Sequence, residues 1–265
     1  MLVLIRGAGD IATGIALRLY RSGMQVVMTD IALPTAIRRT VAFSQAVLDG
    51  TATVEGITAV RCEPEQVPAA LAEGQIPVLV DPNCRCRTLL QPDVLVDAIL
   101  AKRNLGTAIT DAPAVIAVGP GFTAGVDCHV VVETMRGHYL GRVIRQGTAE
   151  PNTNIPGLIG GFAGERVLRA PCDGLFRPVL DIGAQVRAGE IAGYVDQEPV
   201  RCTIDGILRG ILPNGVPVHK GMKSGDVDPR CRIDHCFCAS DKALAVSGGV
   251  LEAILQQTGV FHHGR

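Results

Sequence analysis

Apolar residues run unbroken from Leu2 to Ile5, stop at a glycine turn (Arg6, Gly7, Ala8, Gly9, Asp10) and resume at helical spacing from Ile11 to Leu19. That order predicts a buried strand, a tight turn and a helix packed back on the strand. A second apolar run, Met24 to Thr29, predicts a strand that ends at Asp30. Further along, Ala32 to Asp49 reads as a loop with a short helix, Thr51 to Val60 as a strand, and Pro64 to Glu73 as a helix with proline near its first turn. Pro77 to Val80 reads as a buried strand ending at Asp81 and Pro82. Gln91 to Lys102 has helical spacing through Val94, Val96, Ala98 and Ile99. Ala114 to Val118 predicts another buried strand, leading into Gly119, Pro120 and Gly121. The alternation is a βαβ rhythm, so residues 1–165 are expected to form a Rossmann-like α/β domain with a mostly parallel sheet. From Val130 the period shortens to β segments, Val130 to Glu133 and Arg142 to Arg145. The stretch Thr148 to Gly161, rich in Asn, Pro and Gly, then reads as a surface or binding loop.

An internal repeat follows. Aligned at an offset of 32 residues, Arg169–Val195 and Arg201–Val227 share ten identical pairs over 27 positions, among them Asp173/Asp205, Gly174/Gly206, Arg177/Arg209 and Gly189/Gly221. Each copy reads as strand, Asp-Gly turn, strand, glycine turn and short strand, so residues 166–230 are expected to form a small pseudo-symmetric β barrel-sandwich module. The pattern resembles the biotinyl/lipoyl barrel. Carrier domains of that kind hold their cofactor on a lysine in the hairpin between the halves; here the hairpin is Asp196 to Val200, and no lysine occurs between Arg103 and His219. The carrier role is thereby set aside. Residues 231–265 are expected to form a tail and a C-terminal helix from Ser240 to Gln257, weakened midway by Gly248 and Gly249 and packing back on the first domain.

Composition narrows the function classes. The 265 residues suffice for two units, and a net charge of −1 offers no basic face for nucleic acid. No apolar run approaches the roughly 20 residues that span a bilayer, and the N-terminus lacks signal-peptide features, so a cytoplasmic location is expected. Nine cysteines are then expected as reduced thiols, an odd number arguing against a fully paired disulfide framework. With no tryptophan and few other aromatics, the core must come from Val, Ile, Leu and Ala.

The glycine turn is the strongest chemical signal. Gly7 and Gly9 let the backbone approach an anion, Ala12 allows close packing, and the helix N-terminus favours negative charge. Asp30 stands where a carboxylate would accept bonds from a ribose diol. Asp10 complicates this, because it would cap the helix and put negative charge at the anion position; Arg6 could offset that charge or bind the ligand. Gly119 and Gly121 form a second turn at the same sheet edge, its alternative being a simple turn into a hairpin. Glu133, Arg136 and His138 bring an acid, a guanidinium and an imidazole together, or else cap a turn. Cys84, just past the Asp81–Pro82 strand end, is a candidate sulfur or selenium carrier, or an ordinary thiol. Cys231, Cys236 and Cys238, with His235 interleaved, only loosely resemble zinc spacing, and no metal is assigned. Lys223 to Arg230 (KSGDVDPR) reads as an Asp-Pro turn with an internal ion pair, or as carboxylates that bind a partner or cation. An NAD(P)-dependent oxidoreductase is one further expectation, with His138 as acid or base, Asp30 selecting NAD, and Arg38 and Arg39 admitting a 2′-phosphate.

Taken together, RGAGDIATGIA at Arg6, RRTVAFSQAV at Arg38, GPGFTAGVDC at Gly119, ETMRGHYLGRVI at Glu133, NIPG at Asn154 and KSGDVDPR at Lys223 resemble the YqeB family, associated with the selenium-dependent molybdenum hydroxylase system. The first half is similar in concept to the Rossmann portion of XdhC-type cofactor-insertion proteins. The resemblance implies an accessory or maturation role. Its cargo would be a molybdopterin dinucleotide or another nucleotide-type ligand, and its partners the molybdenum hydroxylase client or cofactor-biosynthesis proteins. It transfers no catalytic residue, and homo-oligomerisation stays open.

Overall fold

The computed structural model describes residues 1–153 and 155–259. Asn154, which opens the NIPG motif, and residues 260–265 lie outside the described residues. The first apolar run forms strand β1 (Leu2–Arg6), and helix α1 (Asp10–Arg21) leads to β2 (Gln25–Asp30). Ile11, Ile15 and Leu19 recur at four-residue spacing, which buries one face of α1 in the main core. After α2 (Gln45–Asp49), β3 (Thr51–Val54) and β4 (Ile57–Arg61) make an antiparallel hairpin in place of the single strand expected over 51–60. Glu55 and Gly56 both adopt positive φ, 48° and 81°, and turn the chain back. Helix α3 (Val67–Ala72), β5 (Ile76–Val80) and the single turn α4 (Arg87–Leu90) come next.

Residues 91–102, expected as helix, carry instead a central strand, β6 (Val94–Asp97), buried along its length. A short apolar run fits either period. Pairing decides it, with β1 on one side and β7 (Ala114–Val118) on the other. β8 (Val130–Val132) and β9 (Val143–Ile144) complete a nine-stranded sheet in the order β3-β4-β5-β2-β1-β6-β7-β8-β9. Its inner neighbours are parallel, and both edges end in antiparallel hairpins. Because the chain runs outward from β1 in both directions, a crevice opens at the carboxyl ends of β1, β2 and β6.

The remaining strands are β10 (Val167–Arg169), β11 (Gly174–Pro178), β12 (Gln185–Val186), β13 (Ile191–Val195), β14 (Glu198–Arg201), β15 (Gly206–Ile211), β16 (Pro217–Val218) and β17 (Lys223–Asp228). They form two four-stranded antiparallel sheets, β10-β17-β15-β12 and β14-β13-β11-β16. The expected fold class is corrected here. In place of a Rossmann-like, mostly parallel domain followed by one biotinyl/lipoyl-type barrel, the chain builds one large mixed sheet and two separate antiparallel sheets. Turns at the edges of the large sheet account for the mixing. Exchange of strands accounts for the paired sheets, since each repeat lends one short strand, β12 or β16, to the sheet of the other.

That exchange gives the repeated residues their physical meaning. Gly183 N–H donates to the Leu208 carbonyl and Gly215 N–H to Phe176, each at 2.8 Å and each across the repeats. Asp173 accepts from Lys220 N–H at 2.7 Å, and its counterpart Asp205 accepts from Ala188 N–H at 2.8 Å. The symmetry breaks on one face. Arg177 lies over the Tyr194 ring, 4.8 Å from its centroid, whereas the equivalent pair, Arg209 and Asp226, is a buried ion pair. Leu175 and Val179 are exposed, while their counterparts Ile207 and Ile211 are buried and Ile211 N–H donates to the Ile37 carbonyl at 2.7 Å.

Helix α5 (Asp241–Thr258) is capped by Ser240, whose hydroxyl accepts from Ala243 N–H, and runs unbroken through Gly248 and Gly249, where a weakening or break was expected. Small residues bring it close to its neighbours: a Cβ on Gly14 of α1 would lie 2.7 Å from Ala243 Cβ. No helix among the described residues is long and apolar enough to cross a membrane.

Candidate functional site

The crevice at the sheet edge encloses about 1570 Å³. Its floor is the glycine turn and the first turn of α1; its far wall is the face of β10, β15 and β17; residues 134–137 and 155–158 form its rim. Gly7 has φ +99°, and a Cβ there would stand 2.9 Å from the Ala98 carbonyl oxygen, so only glycine lets β1 turn this close to the end of β6.

The acidic residues of the turn are committed to holding it. Asp30 Oδ2 accepts from Ala8 N–H at 2.9 Å and Oδ1 from Ile31 N–H at 2.8 Å. Burial raises the Asp30 pKa, and those two bonds only partly offset it. Asp10 accepts from Ile11 N–H at 2.9 Å and faces Arg38 at 3.6 Å. Arg6, 4% exposed, is tied down by Thr107 Oγ1 (2.7 Å), the Leu105 carbonyl (2.8 Å), the Pro82 carbonyl (3.2 Å) and Asp97 (3.5 Å). Asp97 also accepts from Thr107 at 2.6 Å, and burial raises its pKa above the ordinary value. Its part in the site is hidden from the sequence because residues 91–102 read as helix.

Arg6 and Arg38 each leave a buried Nε without a partner, and Arg38 has the fewer bonds of the two. It is 7% exposed and donates from Nη2 to the carbonyls of His235 (3.0 Å) and Cys238 (3.1 Å), yet its Nε has no partner. Burial lowers its pKa; Asp10 pulls the other way. On the opposite wall, Arg166 and Arg209 clasp Asp226, which is 1% exposed, with Lys223 4.0 Å away. Asp228 is held by Arg209 at 3.2 Å and by Arg230 at 2.6 Å. The KSGDVDPR segment thus carries an ionic network on the buried Asp226 and Asp228, with Lys223 and Asp226 facing the crevice.

The other candidate residues are divided between the rim and places outside the crevice. Glu133 is buried, with Oε1 accepting from Thr134 and Met135 N–H, both at 2.6 Å, and Oε2 from Glu150 N–H at 2.8 Å; it anchors the rim. Arg136 lines the crevice and is locked to Asp241 by two bonds of 2.6 and 3.0 Å, which raise its pKa. His138 is exposed in a separate depression beside Tyr139, ring centroids 5.2 Å apart. A Cβ on Gly119 would meet Thr134 Oγ1 at 2.9 Å, and one on Gly121 the Arg103 backbone at 2.6 Å, so this second turn packs against neighbouring loops. Cys84 is 2% exposed at φ +53°; a hydrogen bond from Cys86 lowers its pKa while Cys86 is pushed up. Among the described residues no group of three or more His, Cys, Asp or Glu side chains is arranged to hold a metal ion.

Asp228 links the network to pH. Burial opposes its charge, but the hydrogen bonds from Arg230 and the charge of Arg209 outweigh it and bring its pKa from 3.8 down to about 2. A carboxylate depressed on folding stabilises the fold fully above its unfolded pKa and loses that contribution as pH falls toward 2, here about 2 kcal/mol. Urea unfolding at pH 6, 4 and 2.5 is expected to show the gap between the wild type and Asp228→Asn narrowing with acid; a constant gap contradicts the assignment.

No family model matches the chain. It is 49% identical over 264 residues to "Uncharacterized protein YqeB" of Escherichia coli (strain K12), covering 99% of this chain and 48% of that protein, so it spans about half the length of the curated relative. Among solved structures, an aspartoacylase family protein from Mesorhizobium loti shares 11% identity, with 87% of this chain and 86% of that chain covered and a TM-score of 0.28. A succinylglutamate desuccinylase/aspartoacylase from Rhodobacter sphaeroides shares 17%, covering 85% and 84%, with a TM-score of 0.26. The ectoine utilization protein EutE (DoeB) from Ruegeria pomeroyi shares 21%, covering 32% and 27%, with a TM-score of 0.22. At these scores neither fold nor chemistry passes to the chain.

The expected function is corrected here: the 49% identical relative is described only as uncharacterized and brings no selenium or molybdenum role with it, so the maturation role is withdrawn. The geometry does not favour its alternatives: both Asp30 oxygens already accept from backbone N–H, His138 lies outside the crevice, and Cys84 is 2% exposed. The 49% identity along 99% of the chain supports its membership of the YqeB family.

Proposed function

We propose that the crevice is a binding site for a small anionic molecule, held through a phosphate or carboxylate group. The observation that carries this reading is Arg38: a guanidinium 7% exposed, lining the crevice, with an unpartnered Nε beside the first turn of α1. A buried cation with an unmade hydrogen bond is costly, and an anion arriving there would supply both a charge and an acceptor. The α1 N-terminus adds to the attraction through its first-turn N–H groups other than that of Ile11, which Asp10 already takes, since the Gly9 cap makes no side-chain bond. Across the crevice, Lys223, Arg169 and Lys242 contribute positive charge. Burial lowers the pKa of both lysines, and a bound anion would favour their charged forms.

Calorimetry with inorganic pyrophosphate and with citrate tests the reading and separates phosphate from carboxylate recognition. At least one is expected to bind, more weakly as salt rises, with Lys223→Gln losing roughly tenfold in affinity, the scale of one charge-assisted bond. Failure of both to bind at low salt overturns it.

A further inference from the structure

We infer that the ligand of this crevice is an amphipathic anion, with its charged group at Arg38 and the α1 N-terminus and an apolar body laid along the rim. The inference rests on the anion site proposed above and specifies the class of molecule that fills it. Four large hydrophobic side chains lining the crevice are exposed to solvent: Ile31 and Leu105 at 41% each, Ile155 at 74% and Leu158 at 73%. They come from three separate segments. Ile31 follows Asp30 at the end of β2, Leu105 belongs to the loop whose carbonyl receives Arg6, and Ile155 and Leu158 flank Gly157 on the rim. Singly, exposed apolar residues are ordinary; their convergence on one cavity marks a ligand surface.

The rim is held in place at its middle. The Gly157 carbonyl accepts from Arg166 Nε at 3.3 Å, and a Cβ on Gly157 would come within 2.7 Å of Arg136 Cδ. Ile155 and Leu158 are therefore presented on either side of a point fixed by two arginines, one clasping Asp226 and the other locked to Asp241. The volume, about 1570 Å³, far exceeds what a lone inorganic anion occupies and is ample for a drug-sized molecule. Charge at the floor and unburied hydrocarbon at the rim are complementary to a ligand with both characters.

Two phosphate monoesters of equal charge test this: methyl phosphate and 1-naphthyl phosphate, titrated by calorimetry into the full chain. The naphthyl ester is expected to bind at least tenfold more tightly. The double variant Ile155→Ser with Leu158→Ser, both on the surface and remote from the core, is expected to bring the ratio close to one while leaving methyl phosphate binding unchanged. Arg38→Gln is expected to weaken both esters by a similar factor. Equal affinity for the two esters, or a preference that survives the double variant, overturns the amphipathic ligand and leaves the anion site standing. If neither ester binds, both fall.

Discussion

Replacing Asp226 with alanine is expected to lower the stability of the chain by about 3–5 kcal/mol, the usual cost of removing one partner from a buried ionic cluster. Asp226 lies at 1% exposure on β17, where Arg166 donates to one oxygen and Arg209 to the other. Without it Arg166 has no carboxylate and Arg209 keeps only Asp228, in a place where both arginines are largely buried. The loss also reaches the architecture, because these arginines join the turn before β10 to β15 and β17. For a chain of this size the change corresponds to a fall of roughly 10 °C in melting temperature, read by circular dichroism. A fall under 3 °C would show that the network is solvated and weakly coupled.

The second large effect separates two adjacent glycines of α5. A Cβ on Gly249 would lie 2.0 Å from the Gly141 carbonyl oxygen and 2.8 Å from Val132 Cγ1, and backbone cannot step aside as a side chain can. Gly249→Ala must push α5 off the sheet, at a cost of about 1–3 kcal/mol or more. At Gly248 nothing lies within 4 Å, so Gly248→Ala relieves only the helix-interior penalty of glycine and is expected to stabilise by about 0.5–1 kcal/mol. Urea midpoints of the two variants should move in opposite directions. Movement in the same direction would refute the close contact between α5 and Gly141.

These glycines show where the sequence is readable and where it is not. Both look like helix breakers in a one-dimensional pattern; one is spare and the other is a packing surface, and only the position of Gly141 tells them apart. Strands such as Ala114–Val118 declare themselves by an unbroken apolar run bounded by turn residues. Val94–Asp97 does not, because its flanking Ala98 and Ile99 complete a helical period that the neighbouring strands override. The hairpin at Glu55 depends on a glutamate in left-handed conformation, which residue type alone does not forecast. The glycine turn was legible as a tight strand-to-helix turn, and the structure places it on the floor of the crevice. In the sequence Arg38 reads with Arg39 only as admitting a 2′-phosphate; its place in the crevice is fixed by carbonyls at His235 and Cys238, about two hundred positions along the chain. Ion pairs such as Arg209 with Asp226 follow no local rule either.

The broken symmetry of the repeated sheets has a consequence for how this protein can change. Two copies of one backbone share their internal bonds, so a substitution at a shared position such as Gly183 or Gly215 disturbs a contact with the other copy and both halves feel it. Outside those positions the copies have parted company: Arg177 rests on Tyr194 in the open, while Arg209 is enclosed between Asp226 and Asp228 beside the large sheet. The second copy thus turns Arg209 and Asp226 toward the crevice while the first turns Leu175 and Val179 to solvent, so equivalent positions of one repeat meet opposite constraints.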